Sequence, residues 1–309
     1  RDARRRIREH RQAEREERAR QAAEADARAL AIEGEGFLSR TDDLDVLLPD
    51  DMGSDQADEL RARLALLVER YPEGLRLSVG DLGPAFARAV LDLEDGRPDL
   101  ALPALMAQPD EQPLVRWERA RTAYALGDPS AAARELQALN GLTGDWPRVA
   151  NEHAGEFLAR CLTEAGQPDV ALRTLGAIRQ QEPNVGGFLY AQLLAHAEQL
   201  EGAELVLRDL IRKHPKQNAF YKLLAEVRVR GGHRVQAMRA LEQALQATHC
   251  APGTCGFQPP DPAVKLMLAT LYLEDGIEVD RAEELLAELP RGEQGPMWHL
   301  TYADAMLAR

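Results

Sequence analysis

Residues 221–245 read YKLLAEVRVRGGHRVQAMRALEQAL, and this stretch decides the fold. An alanine, Ala225, is followed by Gly232 seven residues later and by a second alanine, Ala237, after five more. Apolar residues recur at intervals of three and four on both sides of the glycine, which is the period of an amphipathic α-helix. Glycine ends a helix at little cost because it adopts the left-handed conformation readily. The stretch therefore predicts two helices that cross at small residues and turn at Gly232.

The same three markers recur along the chain. The first alanine returns in steps of 31, 39, 32, 34 and 44 residues, at Ala89, Ala120, Ala159, Ala191, Ala225 and Ala269. In one copy Glu198 stands in the place of the glycine. Insertions near residues 141–146 and 250–260 account for the two longer steps. Six copies in phase indicate a repeat array.

The pattern resembles the tetratricopeptide repeat, whose copies run 34 residues. The clearest copy consists of Tyr221, Leu224, Ala225, Gly232, Ala237, Leu241 and Ala244. The resemblance covers roughly residues 75–309 and implies an all-α fold. We expect a right-handed α-solenoid of about six to seven helix pairs with a charged N-terminal helix.

The chain divides into three predicted parts. Residues 1–33 are expected to form a charged helix or arm, which is either solvated or docks on a partner or an anionic surface. Residues 34–58 are rich in aspartate and glycine and are predicted to be an acidic linker. Residues 59–309 are assigned to the solenoid. Within it, helices are predicted at 57–71, which overlaps the linker boundary, and at 296–309.

The net charge and the motifs of the sequence argue against two classes of function, nucleic-acid binding and catalysis. The net charge of −13 argues against nucleic acid as a partner. The sequence contains no phosphate-binding loop, dinucleotide fingerprint, metalloprotease motif or serine nucleophile motif. We therefore predict a protein that is not an enzyme and that uses no cofactor and no metal.

Two cysteines lie in one of the insertions. Cys250 and Cys255 flank a Pro-Gly turn, and His249 precedes them. Three interpretations stay open: a disulfide between the two cysteines, free thiols in a simple loop, or a metal site. Cys161 lies on an apolar helix face and is expected in the core.

The resemblance implies a concave groove lined by the first helix of each pair, which binds extended peptides or partner helices. The residues that it places in the groove are His153, Glu156, Arg160, Phe188, Gln192, His196, Lys222, Glu226 and Arg230. The Lys and Asn clamp by which one subclass holds a terminal carboxylate is not reproduced.

These observations lead to two hypotheses about function. The chain is expected to be a bacterial-type scaffold or assembly factor that binds other proteins, or else a permanent structural subunit of a larger complex. An enzyme built around the cysteine loop is a third and weaker alternative. The sequence starts at Arg1 with an arginine-rich segment, which suggests a membrane tether in residues before it. A periplasmic or membrane-associated location is therefore favoured slightly over a cytoplasmic one.

Overall fold

The computed structural model describes residues 54–149, 151–248, 261–289 and 294–308. The predicted arm at 1–33, the linker up to residue 53, and the pair Cys250 and Cys255 lie outside the described residues. Where the structure describes the chain, the all-α prediction is confirmed. Two strands of two residues each, Arg148–Val149 (β1) and Glu152–His153 (β2), are the exceptions in this part.

The chain divides between residues 152 and 153 into two compact units. Unit 1 holds Ser54–Val68 (α1), Glu73–Glu94 (α2), Pro98–Met106 (α3), Pro113–Ala125 (α4) and Pro129–Thr143 (α5). Unit 2 holds Ala154–Glu164 (α6), Pro168–Gln181 (α7), Gly187–His196 (α8), Leu200–Lys213 (α9), Asn218–Arg230 (α10), Arg234–Thr248 (α11), Pro262–Glu274 (α12), Val279–Ala287 (α13) and Pro296–Ala308 (α14). Helix α1 begins inside the segment that the sequence assigns to the linker.

The helices pair in sequence order, as the repeat predicts. We call α2, α4, α6, α8, α10 and α12 the first helices, and α3, α5, α7, α9, α11 and α13 the second helices. Proline occupies the first position of several of them, where it removes no intrahelical hydrogen bond. The side chain of Asp128 caps α5 by accepting a hydrogen bond from the Ala131 amide at 2.8 Å.

The turn between the two helices of a pair has the same construction in all six copies. The residue at the glycine place has a positive φ, from 57° at Glu198 to 79° at Gly127. The amide of the next residue donates to the carbonyl five residues earlier, as His233 does to Arg228 at 2.7 Å. This is the hydrogen bond of a Schellman turn. Glu198 adopts the left-handed conformation that glycine adopts elsewhere, so the turn is retained without its usual residue.

The marker alanines form the contacts between paired helices. All twelve alanines of the six copies are at most 1% exposed. In the pair of α10 and α11, Ala225 and Ala237 share one core cluster with Tyr221 and Leu241. A small side chain at a crossing lets two helix backbones approach closely, and the leucines around it bury the remaining apolar surface.

Two helices depart from the simple repeat. Helix α2 is broken at Gly83, whose φ of 73° and following Pro84 start a new helical segment. Helix α14 is packed by Thr301 and Ala305 on one side, whereas Leu300 and Leu307 on the other side are 62% and 85% exposed. None of the helices in the described ranges combines the length and apolar character that crossing a membrane requires.

Candidate functional site

The first helices of unit 2 carry a stripe of residues spaced four apart. Counting from the first alanine of each copy, the stripe contains the residues three before, one after and five after it. These residues share one helix face because four residues make about one turn. We call this set the unit 2 stripe, and its members are Glu156, Arg160, Glu164, Phe188, Gln192, His196, Lys222, Glu226, Arg230, Leu266, Thr270 and Glu274. It includes every predicted groove residue except His153.

The centre of the stripe is accessible. Gln192 and His196 on α8 are exposed, and so are Glu226 and Arg230 on α10. Most of the remaining members are half-buried. The structure therefore brings eight of the nine predicted residues onto one face of three consecutive first helices.

His153 has a different role. Its side chain is buried, and Nδ1 accepts a hydrogen bond from the Gly155 amide at 3.2 Å, which caps α6. Because Nδ1 is the acceptor, the proton is on Nε2, which lies 3.2 Å from a carboxylate oxygen of Glu182. His153 holds the start of α6 and leaves no imidazole face for a partner.

Aromatic side chains join the stripe to the core of unit 2. The rings of Phe188 and Phe220 lie 5.3 Å apart and are tilted, which connects α8 to α10. The guanidinium of Arg160 lies 4.8 Å from the centre of the Phe157 ring. These contacts fix two stripe side chains that the sequence alone leaves free to rotate.

Both cations of α10 in the stripe are engaged by carboxylates. Lys222 Nζ lies 2.8 Å from Asp261, which is also the cap of α12. Arg230 lies 2.7 Å from Glu198 and donates to the Ala195 carbonyl at 3.0 Å. The two pairs tie α10 to the elements on either side of it, so neither cation is available to a partner without losing its ion pair.

Glu226 lies between these two cations, one turn from each. Both cations are directed away from it, toward Asp261 and Glu198. Among the residues that the structure describes, Glu226 takes part in no hydrogen bond or ion pair. It is thus an exposed carboxylate at the middle of the stripe.

The equivalent face of unit 1 is more deeply buried over much of its length. Phe86 and Val90 on α2 are fully buried, and Trp117 on α4 is 2% exposed. A cavity of about 130 Å³ remains between Trp117, Tyr71 and Val149. At the first two of the three places, unit 1 is therefore more buried than unit 2, whereas at the third place Glu94 and Ala125 are exposed.

A polar network runs from the buried pair of Tyr71 and Glu118 out to the exposed residues Glu94 and Arg70. The Tyr71 hydroxyl donates to the carboxylate of Glu118 at 2.9 Å, and Arg121 donates to the other oxygen of Glu118 at 2.8 Å. Arg121 also reaches Glu94 at 2.6 Å, and Glu94 accepts from Arg70 at 2.7 Å. Sequence analysis missed this network, because its members come from separate helices and from the turn after α1.

Burial and neighbouring charges shift the acidities of this network in opposite directions. Burial raises the pKa of the Glu118 carboxyl above its usual range, against the attraction of Arg121. Burial acts to raise the pKa of Glu94 as well, but hydrogen bonds from Arg121 and Arg70 outweigh it and hold that pKa low. Burial, together with the Glu118 carboxylate, also raises the pKa of Tyr71, so its hydroxyl stays protonated and can donate.

The raised pKa of Glu118 leads to a prediction about stability and pH. Because the folded-state pKa exceeds the unfolded-state value, the contribution of Glu118 to stability is greatest below the ordinary pKa of 4.5 and falls as the pH rises above it. In urea unfolding, we expect the stability of the wild type relative to Glu118→Gln to decrease over this window. The predicted result is the sign of this change: the free energy of unfolding of the wild type falls relative to that of the variant as the pH rises.

Glu59→Gln serves as the control for the loss of one negative charge, since Glu59 is exposed on α1. A wild-type advantage over Glu118→Gln that grows with rising pH would contradict the assignment. It would mean that Arg121 outweighs burial at Glu118.

Unit 2 also contains a cleft of about 560 Å³ at the turns that follow α8 and α10. Its walls include Glu198, Glu201 and His233, together with Glu204, which forms an ion pair with Arg228 at 2.8 Å. Within the described ranges, no group of three or more His, Cys, Asp or Glu side chains is arranged to hold a metal ion.

Comparison with known proteins places the fold. No protein-family model matches the sequence, and no curated protein is significantly similar to it. Among solved structures, PilW, a type IV pilus biogenesis factor, is 12% identical with a TM-score of 0.53, over 70% of this chain and 96% of that one. TTC0263, a TPR protein of Thermus thermophilus, is 22% identical over 63% of this chain and 99% of that one, with a TM-score of 0.43. YrrB, a TPR protein with an unusual peptide-binding site, is 15% identical over 53% and 84%, with a TM-score of 0.46.

The repeated turns, the buried alanine crossings and the likeness to PilW define one class of fold. The chain is built of tetratricopeptide-type helix pairs, as the sequence predicts. At these identities the likeness concerns the fold alone, and function has to be argued from the surface.

Proposed function

We propose that this chain is a non-enzymatic protein–protein interaction scaffold that holds a segment of a partner protein on the unit 2 stripe. One observation carries the proposal. The place one after the marker alanine is exposed in unit 2, at Gln192 and Glu226, whereas in unit 1 it is buried at Val90 and half-buried at Arg121.

The chemistry of the stripe supports a protein segment as its ligand. It combines half-buried apolar side chains, such as Phe188 and Leu266, with amide, hydroxyl and carboxylate groups. Protein-binding surfaces mix apolar anchors with polar groups in this way. The chain fixes the apolar members by packing before a partner arrives, which lowers the entropy cost of association.

A second function is favoured by a different observation. The outer side of α14 exposes Met297, Leu300 and Leu307, each more than half accessible. An apolar face of this kind is typical of a surface that a neighbouring subunit covers. Under this alternative, the chain is a permanent structural subunit of a larger complex and α14 is part of its interface.

Site-specific photo-crosslinking in cells distinguishes the two functions. We expect a cross-linking amino acid at Gln192 to give a discrete adduct with a partner protein. The same group at Gln180, which is exposed on the second helix α7, is the matched control and should give none. Adducts from position 307 but not from position 192 would reject the stripe and support the structural-subunit alternative.

Co-purification at low and at high salt distinguishes an adaptor from a permanent subunit. Partners held through exposed polar groups on the stripe should wash off when purification is moved from low to high salt, because exposed charge interactions are screened. A permanent subunit is expected to co-purify in fixed stoichiometry under both conditions.

A further inference from the structure

Resting on the proposed function, we propose that the partner segment on the unit 2 stripe presents a lysine or arginine to Glu226, flanked on each side by an apolar side chain. The partner is thus an extended peptide segment with a basic residue at its centre. Glu226 selects it, and Phe188 and Leu266 receive the apolar residues.

The first step is the local charge. Around the middle of the stripe lie two cations, Lys222 and Arg230, and three carboxylates, Asp261, Glu198 and Glu226. The charges of the two ion pairs cancel. The net charge of the five groups is −1, because Glu226 has no cationic partner among the described residues. An acidic partner would meet net negative charge and would have to break an existing ion pair to find a cation.

The second step is the position of Glu226 on the repeat. It occupies the place one after the marker alanine, where the neighbouring first helices carry Gln192 and Thr270. Both neighbours are uncharged: the exposed Gln192 amide can bond the backbone of a bound peptide, whereas the Thr270 hydroxyl donates to the Leu266 carbonyl at 2.8 Å. Glu226 is therefore the one charged member of this row across α8, α10 and α12, and it sets the sign of the side chain recognised there.

The third step is the apolar flank. The place three residues before the marker alanine is occupied by Phe188 in α8, Lys222 in α10 and Leu266 in α12. An apolar residue therefore precedes and follows Lys222 in the series of first helices. Both are half-buried, with Phe188 packed on Phe220 and Leu266 on the core cluster that contains Tyr221. Each is partly exposed and lies one helical turn before the place that Glu226 occupies in its own helix.

The fourth step is the spacing. Neighbouring packed helices lie roughly 8–10 Å apart, and an extended chain advances about 3.3 Å per residue, so one helix corresponds to about three peptide residues. Phe188 of α8 contacts Phe220 of α10, and Lys222 of α10 contacts Asp261, the residue before α12, so the three helices follow one another along the stripe. The expected pattern is an apolar residue, two residues of any type, a lysine or arginine, two of any type, and an apolar residue. The pattern is symmetric and holds for either chain direction.

Three synthetic nonapeptides test this inference by fluorescence anisotropy with the full chain. All carry leucine three residues before and after the centre in a Gly-Ser background, and the central residue is lysine, methionine or glutamate. We expect the lysine peptide to bind about three- to tenfold more tightly than the methionine peptide, and the glutamate peptide to bind most weakly. The preference should shrink as salt is added.

Variants of Glu226 assign the preference to this residue. Glu226→Gln should abolish the difference between the lysine and methionine peptides, and Glu226→Lys should transfer the preference to the glutamate peptide. Both changes are on an exposed side chain, so the helical circular dichroism spectrum should be retained. Glu59→Gln on α1 removes the same charge outside the stripe and should leave the ranking unchanged.

The outcomes separate this inference from the function on which it rests. If all three peptides bind wild type equally, or if Glu226→Gln keeps the preference for lysine, the role of Glu226 is overturned and the stripe remains a binding surface. If no peptide binds and position 192 also gives no crosslink in cells, the proposed function fails together with the inference.

Discussion

Replacing Arg119 with methionine is expected to destabilise unit 1 by about 2–4 kcal/mol, because the change leaves buried backbone carbonyls without a donor. Arg119 is 2% exposed, and its guanidinium donates to the carbonyls of Leu105 at 2.9 Å and Gln108 at 2.8 Å. It also forms an ion pair with Asp110. These bonds fix the loop that connects α3 to α4. Methionine keeps most of the volume of the side-chain stem, so the loss reports the hydrogen bonds more than a cavity.

Urea unfolding followed by far-ultraviolet circular dichroism measures the effect. Arg134→Met on α5 is the matched control, since Arg134 is exposed, and it should shift the stability by less than about 0.5 kcal/mol. Equal unfolding midpoints for the two variants would show that the loop between α3 and α4 does not depend on Arg119.

Ala225→Leu is expected to destabilise unit 2 by about 3 kcal/mol or more through overpacking at a helix crossing. Ala225 is 0% exposed on α10 and lies in a core cluster with Ala237 of α11. Leucine adds three carbon atoms where the backbones of two helices approach each other. The helices must separate to admit them, and the leucines on both sides of the crossing then lose contacts.

The matched control for this variant is Ala219→Leu, near the start of the same helix, where Ala219 is exposed. Both changes replace one strong helix former with another, so the difference between them isolates packing from helix propensity. Thermal unfolding should show a lower transition for Ala225→Leu alone. A normal transition for that variant would mean that small size is not required at the marker alanine.

The turn at Glu198 shows why the repeat could be predicted from the sequence alone. The spacing places this residue where the other copies have glycine, and its φ of 57° is that of the glycines. The turn persists because the Gln199 amide donates to the Leu194 carbonyl at 2.9 Å, which is a backbone interaction. Residue spacing along the chain determines such local bonds, so a substitution at one marker does not hide the copy.

The candidate site was only partly predictable. The repeat pattern predicted which residues form the stripe, because residues four apart in a helix lie on the same face regardless of what packs around the helix. It could not distinguish His153, which caps α6, from Glu226, which has no partner among the described residues. That distinction depends on where Glu182, Asp261 and Glu198 lie, and these residues come from other helices and loops.

The sequence by itself determined the helix pairs, their turns and their alanine crossings, since each depends on residues within one copy. The tertiary structure alone decided which part of the repeated face stays open. In unit 1, Trp117 and Glu118 are buried, and the desolvation of Glu118 raises the pKa of its carboxyl. In unit 2, Lys222 and Arg230 are drawn into ion pairs and Glu226 is left accessible. Burial and charge compensation depend on distances between residues remote in the chain, and repeat spacing does not encode those distances.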